Sequence, residues 1–275
     1  MKNILVPIDF SKSSEYASKV ASKIAKKTGA TIYLIHLIEL PKGVIDIAST
    51  SKFSIPESML YLRKIREKIL LFRDQFFNKS IKVEYFIKLN NPLDGIIKYA
   101  DKIDADIIIM GSKGLSELEE ITIGSNTEKV VRTSKRPVIV VKKDFEKFKL
   151  KNLVFASNFK EENKEVFDKF VHFANTFNSK IHLLKVNTPA NFQITSETKQ
   201  EIQNFISDFN LEKHKINVYN DVSVEKGILN FSKEINADLI ALSTHGRSGL
   251  AHLFTGSVTK TLSKNALKPM FTIKV

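Results

Sequence analysis

Two stretches of this chain keep the same internal spacing. One ends the first half, from Ile107 to Val141, and reads IIIMGSKGLSELEEITIGSNTEKVVRTSKRPVIVV. The other ends the chain, from Asp238 to Val275, and reads DLIALSTHGRSGLAHLFTGSVTKTLSKNALKPMFTIKV. Gly114 and Gly246, Gly124 and Gly256, Ser125 and Ser257, and Pro137 and Pro269 all stand 132 residues apart. Coincidence does not hold four positions to one offset. The chain is a tandem duplication, and whatever fold it takes must be built twice.

The repeated stretch itself narrows the fold. Ile107 to Met110 is an unbroken apolar run, too short for a helix and rich in β-branched residues, which predicts a strand buried on both faces. Gly111 and Gly114 follow, then Gly124-Ser125-Asn126-Thr127, a helical pattern, Pro137 and a second apolar strand, Val138 to Val141. Glycines at the end of a buried strand and a Gly-Ser step at a helix start suit phosphate. Glycine lets the backbone come close to an anion, and the free amides of a helix N-terminus point towards it.

Upstream, strands and helices alternate. A strand from Asn3 to Ile8 precedes a helix capped by Ser11 or Ser13 and closed at Thr28-Gly29. Strands follow at 31–38 and 81–89, a helix at 57–77, and another opened by Asn91-Pro92. Residues 39–55 carry no period and read as a long excursion. This order predicts an α/β fold, a doubly wound parallel sheet of five strands covered on both faces, in each of two tandem Rossmann-like or flavodoxin-like units. The expected domains are 1–143 and 151–275, with 144–150 as linker.

Early in the second unit the offset is 149, since Asn158-Phe159 answers Asp9-Phe10 and Ile181 answers Ile32. By Gly227 against Gly95 it has fallen to 132, so 17 residues are missing after the second strand. The excursion lies in that window. Only the first unit is expected to keep a full loop able to fold over the sheet.

Composition excludes more than it proposes. With no cysteine among 275 residues, disulfides and thiolate chemistry are out. No apolar run reaches the ~20 residues of a membrane span, and the start of the sequence lacks a signal-peptide pattern. The expected compartment is the cytoplasm. The formal charge of +13 is spread over helix faces such as Lys19, Lys23, Lys26 and Lys27, with no basic block. That favours a solvated surface over a specific nucleic-acid partner. Gly-x4-Gly-Lys-Ser/Thr and Gly-x-Gly-x2-Gly loops are absent, the six histidines show no zinc spacing, and no serine sits in a Gly-x-Ser-x-Gly elbow. His36 and His182 fall in strands and read as packing or edge residues.

In open parallel sheets ligands bind beyond the carboxyl ends of the strands, where strand order reverses. That edge gathers Pro7, Ile8, Asp9, Leu37, Met110, Gly111, Lys113, Gly114, Gly124, Ser125 and Asn126. Ile8, Leu37 and Met110 would flank a flat base. Asp9 would meet a ribose or a metal ion carried by phosphates, and the glycines and helix amides would take the phosphates. Tight turns and a helix cap would call for the same glycines and the same aspartate.

Gly111-x2-Gly114-x9-Gly124-Ser125 resembles the nucleotide-binding signature of the universal stress protein family. Val6-Pro7-Ile8-Asp9-Phe10-Ser11 and Leu34-Ile35-His36-Leu37 are similar to that family's first and second strands. The resemblance covers both units and implies a tandem member of the ATP-binding type, with adenine and ribose near the first two strands and phosphates on the glycine loop. Lys113 departs from the histidine frequent there. The resemblance also implies pairing through the last strand, here between Val138–Val141 and Phe271–Val275 of one chain, as an internal pseudo-dimer; a homodimer is a further expectation.

The second unit is altered. Ala156 replaces Pro7, Asn158 replaces Asp9 and Ser243 replaces Gly111, while Gly246, Arg247, Gly256, Ser257 and Val258 retain a weaker phosphate cradle. The expected function is ATP binding, with or without magnesium, in a stress-response regulator with protein partners that the sequence does not name. A slow ATP hydrolase and a protein-interaction scaffold with degenerate pockets are the alternatives.

Overall fold

The computed structural model describes residues 1–38, 55–112, 124–145, 148–244 and 268–274. In the first half, strands β1 (Asn3–Pro7), β2 (Thr31–Ile38), β3 (Val83–Leu89), β4 (Ile107–Gly111) and β5 (Val138–Val141) alternate with helices. These helices are α1 (Lys12–Thr28), α2 (Ile55–Phe76), α3 (Pro92–Lys102) and α4 (Ser125–Thr133). The second half repeats them as β6 (Asn152–Ala156), α5 (Lys164–Thr176), β7 (Lys180–Asn187), α6 (Thr195–Ile206), β8 (His214–Asn220), α7 (Val224–Glu234), β9 (Leu239–Thr244) and β10 (Met270–Lys274).

Among the described residues ten strands form one sheet, in the order β3-β2-β1-β4-β5-β10-β9-β6-β7-β8. Every pairing within a half is parallel. Among the described residues one pairing is antiparallel, that of β5 with β10, with Met270 opposite Val140, Phe271 opposite Ile139 and Thr272 opposite Val138. Ile139 and Phe271 are repeat equivalents, so a pseudo-two-fold axis passes through that pair. The expected internal pseudo-dimer is present, one residue earlier on the last strand than the sequence suggested; Val275 lies outside the described residues.

Alternation along the strands divides the core into two layers that run through both halves. Ile4, Val6, Ile107 and Ile109 face α1 and α2, and that layer continues to Phe155, Phe167 and Phe170 of the second half. Leu5, Ile108 and Met110 face the opposite way with Val130 and Tyr99, in the layer that continues to Leu184 and Phe231. Burying both faces of a parallel sheet requires the continuous apolar runs seen in the sequence.

Local chemistry sets the helix ends. Ser11 caps α1, its Oγ accepting the Ser14 amide at 3.3 Å. Gly29 ends the helix at φ 72°, the left-handed conformation glycine adopts without a Cβ clash. Its repeat equivalent is Asn178, at φ 53°, the residue type that tolerates this region next best.

The shortening of the second half is not confined to the excursion. α2 has 22 residues and α6 only 12, while the connector before the helix falls from 39–54 to 188–194. Helix and connector each supply about half of the loss. The excursion at 39–54, expected to fold over the sheet edge, lies outside the described residues.

Candidate functional site

From β1 the chain proceeds outward to β2 and β3, then returns to the other side of β1 for β4 and β5. The strand order therefore reverses between β1 and β4, and a crevice opens above their carboxyl ends. A cavity of about 290 Å³ lies there. Pro7, Ile8 and Asp9 line it from the exit of β1, Leu37 from β2, Met110 and Gly111 from β4, and Gly124, Ser125 and Asn126 from the start of α4. These nine are the sequence-predicted residues that the structure describes, and it brings all of them to one cavity. Lys113 and Gly114 lie outside the described residues, as do Gly246, Arg247, Gly256, Ser257 and Val258.

Sequence reasoning missed Ser14, Ile35, Pro92 and Ile96, which also line the cavity; Thr127, read from the sequence as part of the Gly124-Ser125-Asn126-Thr127 step, lines it too. Pro92 and Ile96 come from the first turns of α3. That signal was legible: a helix opened by Asn91-Pro92 directly after β3 must start at this same edge, and Asn91 Oδ1 accepts the Leu93 amide there at 3.0 Å.

The walls differ in character. One end is apolar, made by Ile8, Ile35, Leu37, Ile96 and Met110. The other is the N-terminus of α4, whose cap residue Gly124 provides no side chain for the first-turn amides. The positive end of the helix, with first-turn N–H groups that no side chain caps among the described residues, therefore opens onto the cavity. Thr127 fixes this helix to the strand, its Oγ1 donating to the Gly111 carbonyl at 2.8 Å.

Asp9 is the single carboxylate lining the cavity among the described residues. Its Oδ1 accepts the Ser11 amide at 3.0 Å and the Ser11 hydroxyl at 2.6 Å. Oδ2 has no partner among the described residues. Asp9 thus holds the cap of α1 rather than capping the helix itself. Phe10, the next residue, stands at φ 64°, a conformation strained for a bulky side chain. Its ring packs on His36 at 4.8 Å, and His36 Nδ1 lies 2.8 Å from the Ile8 carbonyl oxygen. The same turn recurs at Phe159, φ 56°. Strain kept in both copies has a shared cause: the strand exit must turn sharply to start the helix over the cavity.

Gly111 has a different reason from the one its sequence context suggests. A Cβ there would lie 2.6 Å from the backbone of Ser13. The glycine is needed for the close approach of α1 to β4, whatever the cavity holds. In the second half Ser243 takes this place, and the helix start has changed with it: a 3₁₀ turn at Glu161–Asn163 replaces the first α-helical turn.

A second cavity, of about 230 Å³, occupies the equivalent place in the second half. Ala156, Ser157, Asn158, Leu242 and Ser243 line it where the first has Pro7, Ile8, Asp9, Met110 and Gly111. The Asn158 oxygen is committed to the turn, Oδ1 accepting the Lys160 amide at 3.2 Å and the Asn163 amide group at 2.8 Å. Glu225 brings a carboxylate to this cavity at the position of Leu93. Lys185, the equivalent of His36, donates to the Asn158 carbonyl at 3.3 Å, and burial pushes its pKa down.

Comparison with known proteins fits this geometry. The model of the universal stress protein family matches residues 1–142 and again 149–274. Two universal stress proteins of Methanocaldococcus jannaschii are similar to this chain. One is 31% identical over 154 residues, covering 52% of this chain and 95% of its own length. The other is 32% identical over 142 residues, covering 52% and 82%. A crystal structure of a universal stress protein from Archaeoglobus fulgidus shares the fold over 99% of this chain and 96% of its own, with a TM-score of 0.74 at 22% identity.

Proposed function

Because the chain belongs to the universal stress protein family, we propose that its first domain binds an adenine nucleotide, ATP in the first instance, as the sensing step of a stress-response regulator. The observation that carries this reading is the two-ended cavity at the strand-order reversal. Apolar Ile8, Leu37 and Met110 suit the faces of a purine. The amides of Ser125 and Asn126, at a helix N-terminus with no side-chain cap among the described residues, suit phosphate oxygens. The unpartnered Oδ2 of Asp9 suits a ribose hydroxyl. Lys113 and Gly114 would extend the phosphate contacts.

Magnesium, if bound, would arrive with the phosphates. Among the described residues no group of three or more acidic or histidine side chains could hold a metal by itself. Asp9 is then the side chain that would meet it. Binding is favoured over turnover because no second acid or base lines the cavity among the described residues to activate water.

Isothermal titration of the full chain with ATP, with and without magnesium, tests the proposal. One site per chain is expected, weakened when Asp9 or the start of α4 is altered. A nucleotide-free protein that gives no heat and no rise in melting temperature at millimolar ATP would refute it. Phosphate release that follows ATP occupancy and is lost in Asp9→Ala would replace the binder with an ATPase.

A further inference from the structure

The seam between the two domains contains a cavity that nucleotide binding does not use. It measures about 520 Å³. The amino-terminal ends of β4 and β5 wall one side, and α5 and β10 wall the other. Its floor is apolar: Phe173 and Phe271 are 5% and 1% exposed, and Ile107 is fully buried.

The rim is charged, but its carboxylates are already engaged. Asp101 faces Arg136 at 3.5 Å, Glu165 pairs with Lys169 at 2.7 Å, and Asp106 Oδ2 accepts the Asn3 amide at 2.8 Å. Lys135 and His172, which also line the cavity, have no side-chain partner among the described residues. An apolar chamber whose unspent polar groups are cation and imidazole selects an anion with an apolar body.

The pseudo-symmetric helix shows the same need met from within the chain. α1 is the repeat of α5, and Lys23 is the repeat of His172. Over α1 lies the linker: Asp144 pairs with Lys19, and the Phe145 carbonyl accepts from Lys23 at 3.3 Å. Phe145 and Phe148 pack on the core beside it. A ring next to a carboxylate covers the first helix. Among the described residues no such group covers the second.

We propose that the seam cavity is a separate ligand site, for a small carboxylate with an aromatic or branched aliphatic body, held by Lys135 and His172 over Phe173 and Phe271. Both domains contribute walls, so an occupant ties the seam together. The site is independent of the nucleotide cavity, and its test reads independently of it.

The probe is 3-phenylpropanoate, with 3-phenylpropanamide as its neutral twin, followed on the full chain by saturation-transfer NMR and calorimetry. The acid is expected to bind at least about tenfold more tightly than the amide. Lys135→Ala combined with His172→Ala should remove that preference, and Thr176→Trp at the exposed rim should block both probes. Circular dichroism and an unchanged ATP titration confirm that each variant is folded. Equal binding of acid and amide, binding that survives Thr176→Trp, or no saturation by the acid at ~10 mM would each overturn the assignment.

Discussion

The two switch-point cavities have the same position, the same elements and different chemistry. In the first, the strand exit carries an aspartate with one oxygen unpartnered among the described residues, the strand β4 ends in glycine, and the far wall is methionine and leucine. In the second, an asparagine has spent its oxygen on its own turn, a serine replaces the glycine, and Glu225 adds a negative charge. Duplication preserved the frame because the frame is enforced by packing. The chemistry diverged where packing allowed it, and where it touched packing, at Gly111 and Ser243, the helix start changed with it. The lesson is that a conserved cavity shape is weak evidence for a conserved ligand; the donors and acceptors on its walls decide.

The largest effect should come from the phosphate end. Gly124→Val places a branched side chain at the cap of α4, beside the amides of Ser125 and Asn126 that line the cavity. Losing two phosphate–amide contacts at about 1.5–3 kcal/mol each predicts a fall in ATP affinity of at least about 100-fold. The equivalent change, Gly256→Val, should leave stoichiometry and affinity as they are. Calorimetry on both variants decides it. A single site lost through Gly256→Val instead would move the nucleotide to the second domain.

Gly111→Ser imposes the second domain's residue on the first domain's frame. The new Cβ would sit 2.6 Å from Ser13 backbone atoms, so α1 must shift or unwind. Overpacking of this kind costs about 1–3 kcal/mol. The reverse exchange, Ser243→Gly, should cost far less, since the 3₁₀ turn already leaves room. Equal melting temperatures for wild type and Gly111→Ser would show that the glycine is not held by packing.

That pair of predictions marks what could be read from sequence. The strand-helix order and the duplicated spacing were legible because apolar period and glycine position are local signals. The nine cavity residues were legible because a parallel sheet must bring strand exits and helix starts to one edge. The true partner of Gly111 was not, since the approach of Ser13 depends on where α1 lies across β4. The origin of the missing 17 residues was hidden too. An offset reports a total length and cannot divide it between a connector and a shorter α6.

Asp9→Asn converts the first cavity towards the second at one atom. The turn survives, because Asn158 shows that an amide oxygen can hold it. The carboxylate charge is lost to ribose or magnesium. About a tenfold loss of ATP affinity is expected, or ~1.4 kcal/mol, and larger with magnesium than without. No difference between the two conditions would place the metal away from Asp9.

The smallest effect belongs to a pair of strand residues, His182 and its equivalent Tyr33. His182 is 6% exposed, and neither ring nitrogen has a hydrogen-bond partner. Burial holds its pKa below the ordinary 6.5, and Lys180 and Lys215 add to the shift. From α7 the neighbouring group is the uncharged ring of Phe231, at 6.2 Å. The native chain therefore resists a proton that the unfolded chain accepts. As pH falls through 6.5 the unfolded state binds more protons, so stability drops until the depressed native pKa is reached, and is flat above about pH 7.5. Tyr33 offers no ring nitrogen to protonate. His182→Tyr should remove this one-proton component from the second domain's acid sensitivity while adding none to the first. Melting curves from pH 7.5 to 5 for the two proteins measure it. Parallel curves would mean that His182 keeps its ordinary pKa despite its burial, or takes up a partner when protonated.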